Sequence, residues 1–195
     1  KQTLPVSTTA NPLGYLKYTY TASEIQPDML NADITKTTDS PSWGGLYLQY
    51  FEKFDQVQQQ KGILSVTKKL FIEKIGSDGK QELLPLGKEK LKTGDKVITR
   101  LTLSLKQDMD FLYLKDFRAA CFEPIGQLSG NQWKFGTVYY EESKDAVTNF
   151  FFNSLAKGTY VLEYPVWVNQ AGTYQDGIAT FQSMYAPEYT AYSEA

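Results

Sequence analysis

Val97-Ile98-Thr99-Arg100-Leu101-Thr102-Leu103-Ser104-Leu105 is the stretch on which the fold turns. Val97, Leu101, Leu103 and Leu105 share one parity, and Arg100, Thr102 and Ser104 share the other. A repeat of two puts successive side chains on opposite faces, so this is a strand with one apolar face and one polar face. The period recurs over residues 160–168, where Tyr160, Leu162, Tyr164, Val166 and Val168 fall on one side. Over Val147–Leu155 both parities carry aromatics, Phe151 on one and Phe150 and Phe152 on the other. No segment holds a sustained apolar stripe of helical period.

Turn chemistry separates these runs at short intervals. Ser77-Asp78-Gly79 divides Leu64–Ile75 from residues 83–86, and Thr93-Gly94-Asp95 precedes Val97. Lys157-Gly158 precedes Tyr160, and Gln175-Asp176-Gly177 introduces residues 178–185. Asp-Gly and Lys-Gly pairs are expected to supply the positive φ angles of tight hairpins. Pro165, in mid-strand, predicts an edge strand or a bulge, because proline has no N–H for a ladder. The composition agrees, with 14 Tyr, 11 Phe and 3 Trp, residue types that fit a pleated, half-buried surface. The expected class is all-β, a sandwich of short strands.

With 195 residues the chain is long enough to bury a core without disulfide staples. Its 20 Lys+Arg against 22 Asp+Glu give a net charge of −2, which leaves no basic surplus for nucleic acid. There is no histidine, so histidine acid–base catalysis, His-containing triads and histidine metal sites are all excluded. A single cysteine excludes an internal disulfide and Cys-pair zinc motifs. No calcium loop, phosphate loop or membrane-spanning run is present, so no metal, cofactor or membrane contact is expected.

Few residues carry candidate chemistry. Cys121, within Ala119-Ala120-Cys121-Phe122, reads as a buried small hydrophobe. Glu141, Glu142 and Asp145 form the densest acidic cluster, with Glu123 apart; glycosidase chemistry would require two of these carboxylates to face one cleft. Lys88, Lys90 and Lys92, and likewise Lys68 and Lys69, read as solvated basic strips. Trp43, Trp133 and Trp167 are candidates either for the core or for stacking on sugars.

The C-terminal third resembles a known family. Lys157-Gly158-Thr159-Tyr160, Tyr164-Pro165, Ala171-Gly172-Thr173-Tyr174 and Met184-Tyr185-Ala186-Pro187-Glu188 follow one another as in the closing segment of bacterial alpha-2-macroglobulin-like proteins. Gly94-Asp95 with the 97–105 strand is similar to that domain's GD-x-V-x-V-x-L pattern. Phe117 to Pro124 stands where the family has LPAGFEP, with Ala119-Ala120-Cys121 replacing Pro-Ala-Gly. Trp43 to Glu52 resembles the WGALYWQYFE run of Bacteroidetes-type members.

The resemblance implies an immunoglobulin-like macroglobulin sandwich over residues 62–195. Before it, residues 1–58 are expected to form an N-terminal strand group, which by the same resemblance reads as the second half of a CUB-like domain. Residues 15–20, 32–37 and 46–54 are the strand candidates there. It further implies the non-catalytic C-terminal domain of a protease trap in the bacterial periplasm or cell envelope. That domain would pack against the thioester domain of its own parent chain, and proteases would be targets of the whole protein. Met184, with Tyr185 and Pro187, matches the position that helps shield the thioester from water. Lys1 is not an initiator methionine, and a piece of a longer protein is expected. The alternatives are a secreted carbohydrate-binding or adhesion sandwich using Trp133 and Trp167, and a glycosidase using Glu123, Glu141 or Glu142.

Overall fold

A computed structural model of the chain describes residues 17–31, 33, 35, 39, 41, 44–77, 79–87, 90–126, 128–134 and 136–194. Tyr15, most of residues 32–37, Trp43, Asp78 and Lys88 lie outside the described residues. The chain divides into two compact units, residues 1–49 and 50–195. Among the described residues of the first, regular structure is confined to a 3-10 helix, Pro27–Leu30.

The second unit opens with a 3-10 turn, Phe54–Gln56, and continues as strands. They are β1 Leu64–Ile75, β2 Gln81–Pro85, β3 Lys96–Leu105, β4 Met109–Phe117, β5 Phe122–Pro124, β6 Gly130–Lys134, β7 Thr137–Ser143, β8 Val147–Leu155, β9 Gly158–Val168, β10 Ala179–Ser183 and β11 Thr190–Tyr192. A five-stranded sheet runs β2-β1-β3-β9-β5, and a six-stranded sheet runs β11-β10-β4-β8-β7-β6. Every pairing is antiparallel. This is the β-sandwich that the alternation predicts, and it is consistent with the immunoglobulin-like form that the resemblance implies.

The inward parities meet as one core. Leu64, Val66, Val97, Leu101, Leu103, Leu162 and Val166 come from the five-stranded sheet, and Leu112, Leu114, Phe150, Phe152 and Phe181 from the six-stranded one. Removing this apolar area from water is the main favourable contribution to the fold.

The fold corrects several sequence expectations. Residues 46–54 form no ladder and their rings stand exposed, because a strand exists only as a pairing and no described strand pairs with them. Residues 17–20 are likewise without a ladder. β4 escapes the alternation test because Phe111, Tyr113 and Phe117 make its outward parity as apolar as Leu112 and Leu114 make its inward one. β9 is not an edge strand. Pro165 pairs with Ile98 of β3, and on the other side Ile125, just past the end of the short β5, donates to the Pro165 carbonyl at 3.2 Å. The missing N–H therefore faces a place where the ladder has already stopped.

Gly79 and Gly94 do have positive φ, 78° and 92°, whereas Gly158 and Gly177 are not in that region. Gly177 is needed for space: a Cβ there would stand 2.3 Å from the Phe117 carbonyl oxygen.

Candidate interdomain docking site

Met184, Tyr185 and Pro187 lie in the short connection between β10 and β11. Its backbone is tightly tied. Ser183 donates its N–H to the Tyr189 carbonyl at 3.0 Å, and Tyr189 donates to the Ala186 carbonyl at 2.9 Å. Thr190 Oγ1 donates to the Pro187 carbonyl at 2.6 Å, and the Ala186 N–H reaches Ser183 Oγ at 3.3 Å. The Met184 N–H donates to the Phe111 carbonyl at 2.9 Å, extending the β10–β4 ladder by one step.

On this rigid loop the apolar side chains point outward. Met184 is 50 % exposed, Tyr185 79 % and Phe111 49 %. The Phe111 and Tyr185 rings meet edge to face with centroids 5.2 Å apart, a favoured quadrupole arrangement. Phe111 itself has φ 52°, rare for an aromatic residue and costing on the order of 1–3 kcal/mol. Register holds on both sides of it, Asp110 opposite Ser154 and Leu112 opposite Phe152, so the flanking ladder imposes the strain. Sequence reasoning missed Phe111, since nothing in Asp110-Phe111-Leu112 signals a left-handed residue.

A second polar constellation lies between the sheets. Lys68, expected on a solvated strip, has the parity of Leu64 and Val66 and so points inward, its side chain only 4 % exposed. Its Nζ contacts Asp116 Oδ1 at 2.9 Å and Asp176 Oδ1 at 3.0 Å, and donates to the carbonyls of Phe117 and Gly177 at 2.7 and 2.9 Å. The Tyr164 hydroxyl donates to Asp116 Oδ2. Burial pushes Asp116 up from 3.8 to about 6, against the opposing pull of Lys68 and the Tyr164 hydrogen bond. Burial first, and then the Asp116 charge, hold the Tyr164 hydroxyl well above its ordinary value. Nearby, buried Arg118 donates to Thr148 Oγ1 and to the Lys144 and Asp145 carbonyls. These groups tie β1 and β9 of one sheet to β4 of the other.

Comparison with known proteins places this sandwich. The bacterial alpha-2-macroglobulin MG10 domain matches residues 64–188. The chain belongs to that family.

Solved structures agree on the fold of this MG10 domain. Salmonella alpha-2-macroglobulin reacted with methylamine shares 18 % identity at a TM-score of 0.55, over 71 % of this chain and 9 % of that one. Trypsin-activated alpha-2-macroglobulin from Escherichia coli shares 17 % at 0.54, over 71 % and 10 %. Native E. coli alpha-2-macroglobulin from domain MG7 to the C-terminus shares 18 % at 0.51, over 70 % and 23 %. The chain thus spans about a tenth of the two longer relatives, so the matching segment there is one part of a much larger polypeptide. No curated protein matches.

The other candidate residues of the MG10 domain do not assemble into a catalytic site. Adjacent on β7, Glu141 and Glu142 point to opposite faces. Glu141 lines a cleft of about 240 Å³ between the sheets, where burial pushes it up and Lys134 pulls it down. Glu142 turns outward, held below its ordinary value by the Asn149 amide and by Lys144. Glu123 lies outside that cleft, exposed between the inward-facing Phe122 and Pro124. Glu163, which does line it, is held by Arg100. Cys121 is buried in the core, and burial pushes its thiol up, away from a reactive thiolate. Trp133 is 81 % exposed on β6 and Trp167 44 % exposed on β9, so the two stand on different sheets and form no single stacking row. Among the described residues no helix is long and apolar enough to cross a membrane, and no acidic or cysteine cluster could hold a metal.

Proposed function

We propose that the chain is the non-catalytic C-terminal domain of a bacterial alpha-2-macroglobulin-type protease inhibitor in the periplasm or cell envelope. On this reading the β10–β11 connection packs against the thioester domain of the same parent chain, and Met184, Tyr185 and Pro187 help keep water from the reactive acyl group until a protease cuts the bait. Residues 1–58 then belong to the preceding CUB-like domain, and residues 62–195 form the macroglobulin sandwich.

The observation that carries the reading is the exposure of Met184 on a loop held by its own hydrogen bonds. A polarisable thioether on a rigid support fills an irregular apolar site without paying to be ordered there. The Phe111–Tyr185 pair widens the contact, and aromatic and methionine anchors are what interface cores select.

The test is Met184→Ala in the parent protein, followed by uptake of a labelled primary amine. The amine attacks the acyl carbon, forms an amide and releases the cysteine thiol. Faster labelling before proteolysis supports shielding. Slow labelling before proteolysis and normal labelling after it confines Met184 to closing the sandwich. No labelling of the wild type under any condition removes the thioester from the account.

A further inference from the structure

Lys68, Asp116 and Asp176 form a nearly dry ion cluster between the sheets. Lys68 points inward from β1 and Asp116 from β4, so the pair spans the sandwich. Their side chains are 4 % and 0 % exposed, and Lys68 Nζ stands 2.9 Å from Asp116 Oδ1. Among the described residues that oxygen has no hydrogen-bond partner besides Nζ. The other carboxyl oxygen, Oδ2, is held by the Tyr164 hydroxyl. Asp176, in the connection from β9 to β10, reaches the same Nζ at 3.0 Å. Lys96 and Glu73 also meet at 2.9 Å, but their side chains are 30 % and 18 % exposed and stay wetted. Only the Lys68 pair sets an amine beside a carboxyl carbon with water shut out from both.

We propose that Lys68 and Asp116 condense into an intramolecular isopeptide bond that fastens β1 to β4. One proton passes from Lys68 Nζ to Asp116 Oδ1, leaving a neutral amine against a neutral acid. Nζ then attacks Cγ, a second Nζ proton moves to the Asp176 carboxylate, and Asp176 returns it to the departing hydroxyl. The Nζ–Cγ bond forms, the Cγ–Oδ1 bond breaks and one water leaves, with no oxidant or further reactant. Oδ2 carries the charge of the tetrahedral intermediate, and the Tyr164 hydroxyl already donates to it. Burial lifts Asp116 to about 6 against the pull of Lys68, so its acid form is within reach near neutrality. Two groups held in this way react at effective concentrations of about 10⁵–10⁸ M. Each buried ion also bears a desolvation penalty, and the amide carries neither charge. Freshly folded chain still holds the ion pair, and there stability depends on the charge of Asp116; once linked, neither charge remains. The bond gives a chain with a single cysteine the covalent tie that a disulfide cannot.

Tryptic mapping of the parent protein by mass spectrometry, after prolonged incubation of the folded protein at neutral pH, tests it. Acylated Lys68 is no longer a cleavage site, so residues 62–69 should appear joined to residues 116–118, one water lighter than the two peptides together. Asp176→Asn should slow the appearance of the joined peptide by about 10²-fold, the size of a lost acid–base group. A wild-type map that yields only free residues 62–68, cut at Lys68, overturns the bond without need of any variant. Residues 62–69 joined instead to the peptide that carries Asp176 overturn the choice of Asp116. An unchanged rate in Asp176→Asn overturns its part as proton carrier. Met184→Ala should leave the joined peptide as it is, so this bond and the thioester reading stand or fall separately.

Discussion

The two sheets turn different surfaces outward. On the five-stranded sheet Lys96 pairs with Glu73 at 2.9 Å, Arg100 holds Glu163, and Arg100 also covers the Phe71 ring at 4.3 Å. Across the molecule, the six-stranded sheet turns Tyr113, Phe151, Tyr140 and Trp133 outward, with Lys115 and Glu142 one row away on the same face. Both sheets contribute inward apolar residues to one shared core. Paired charges keep the one outer face wet, whereas the other concentrates aromatic rings in adjacent rows.

The comparison is sharpest at adjacent residues of one strand. Phe152 faces inward and is fully buried, while Phe151 faces outward. Phe152→Ala should lower stability by about 3–5 kcal/mol in urea unfolding of the isolated chain, through lost transfer energy and a cavity. Phe151→Ala should cost only about 1 kcal/mol there. Equal costs would mean that the outer band belongs to the core.

Between the faces, Lys68→Ala strands the buried Asp116 carboxylate and should cost about 3–5 kcal/mol at pH 7. The loss should shrink near pH 5, where Asp116 carries a proton and needs no cation. Denaturant titrations at the two pH values check this.

Asp116→Asn probes the same place from the other side. Asp116 lies at about 6 in the folded protein against 3.8 ordinarily, so between these values the native state holds a proton that the unfolded chain has lost. Its contribution to stability therefore falls as pH rises through that window. The wild-type advantage over Asp116→Asn should drop by on the order of 3 kcal/mol from pH 4 to pH 7.

Smallest of all are the outer substitutions in the isolated domain. Arg100→Ala should change stability by about 0–1 kcal/mol, since its ion pair is solvent-screened. Trp133→Ser should fall within about 0.5 kcal/mol in the isolated domain. A cost from Trp133→Ser as large as that of Phe152→Ala would place this outer ring in the core.

How much of this was legible in the sequence varies by element. β3 and β9 were readable because each carries a long period-two run with a consistent inner face, and β8 as a strand by its aromatic composition though both its parities are apolar. β6 and β7 were not, since Gln132, Lys134 and Glu141 stand on inward positions beside an open cleft and erase the apolar alternation. The exposed aromatic run at residues 46–54 misled in the opposite direction, supplying strand composition without a partner strand. The candidate loop was legible as a motif, Met184-Tyr185-Ala186-Pro187-Glu188, but Phe111 was not, because it reaches Tyr185 only through the β4–β10 pairing.

What the sequence determined by itself was the all-β class, the inward parity of β3 and β9 and the exclusion of histidine chemistry, because side-chain period and residue type are local properties. Tertiary structure decided the rest. It turned Lys68 from a surface cation into the buried partner of Asp116, and aligned Tyr113, Phe151 and Tyr140 from three strands into one row. Both depend on which strands pair and in what register, and register is set by the whole sheet rather than by any one strand.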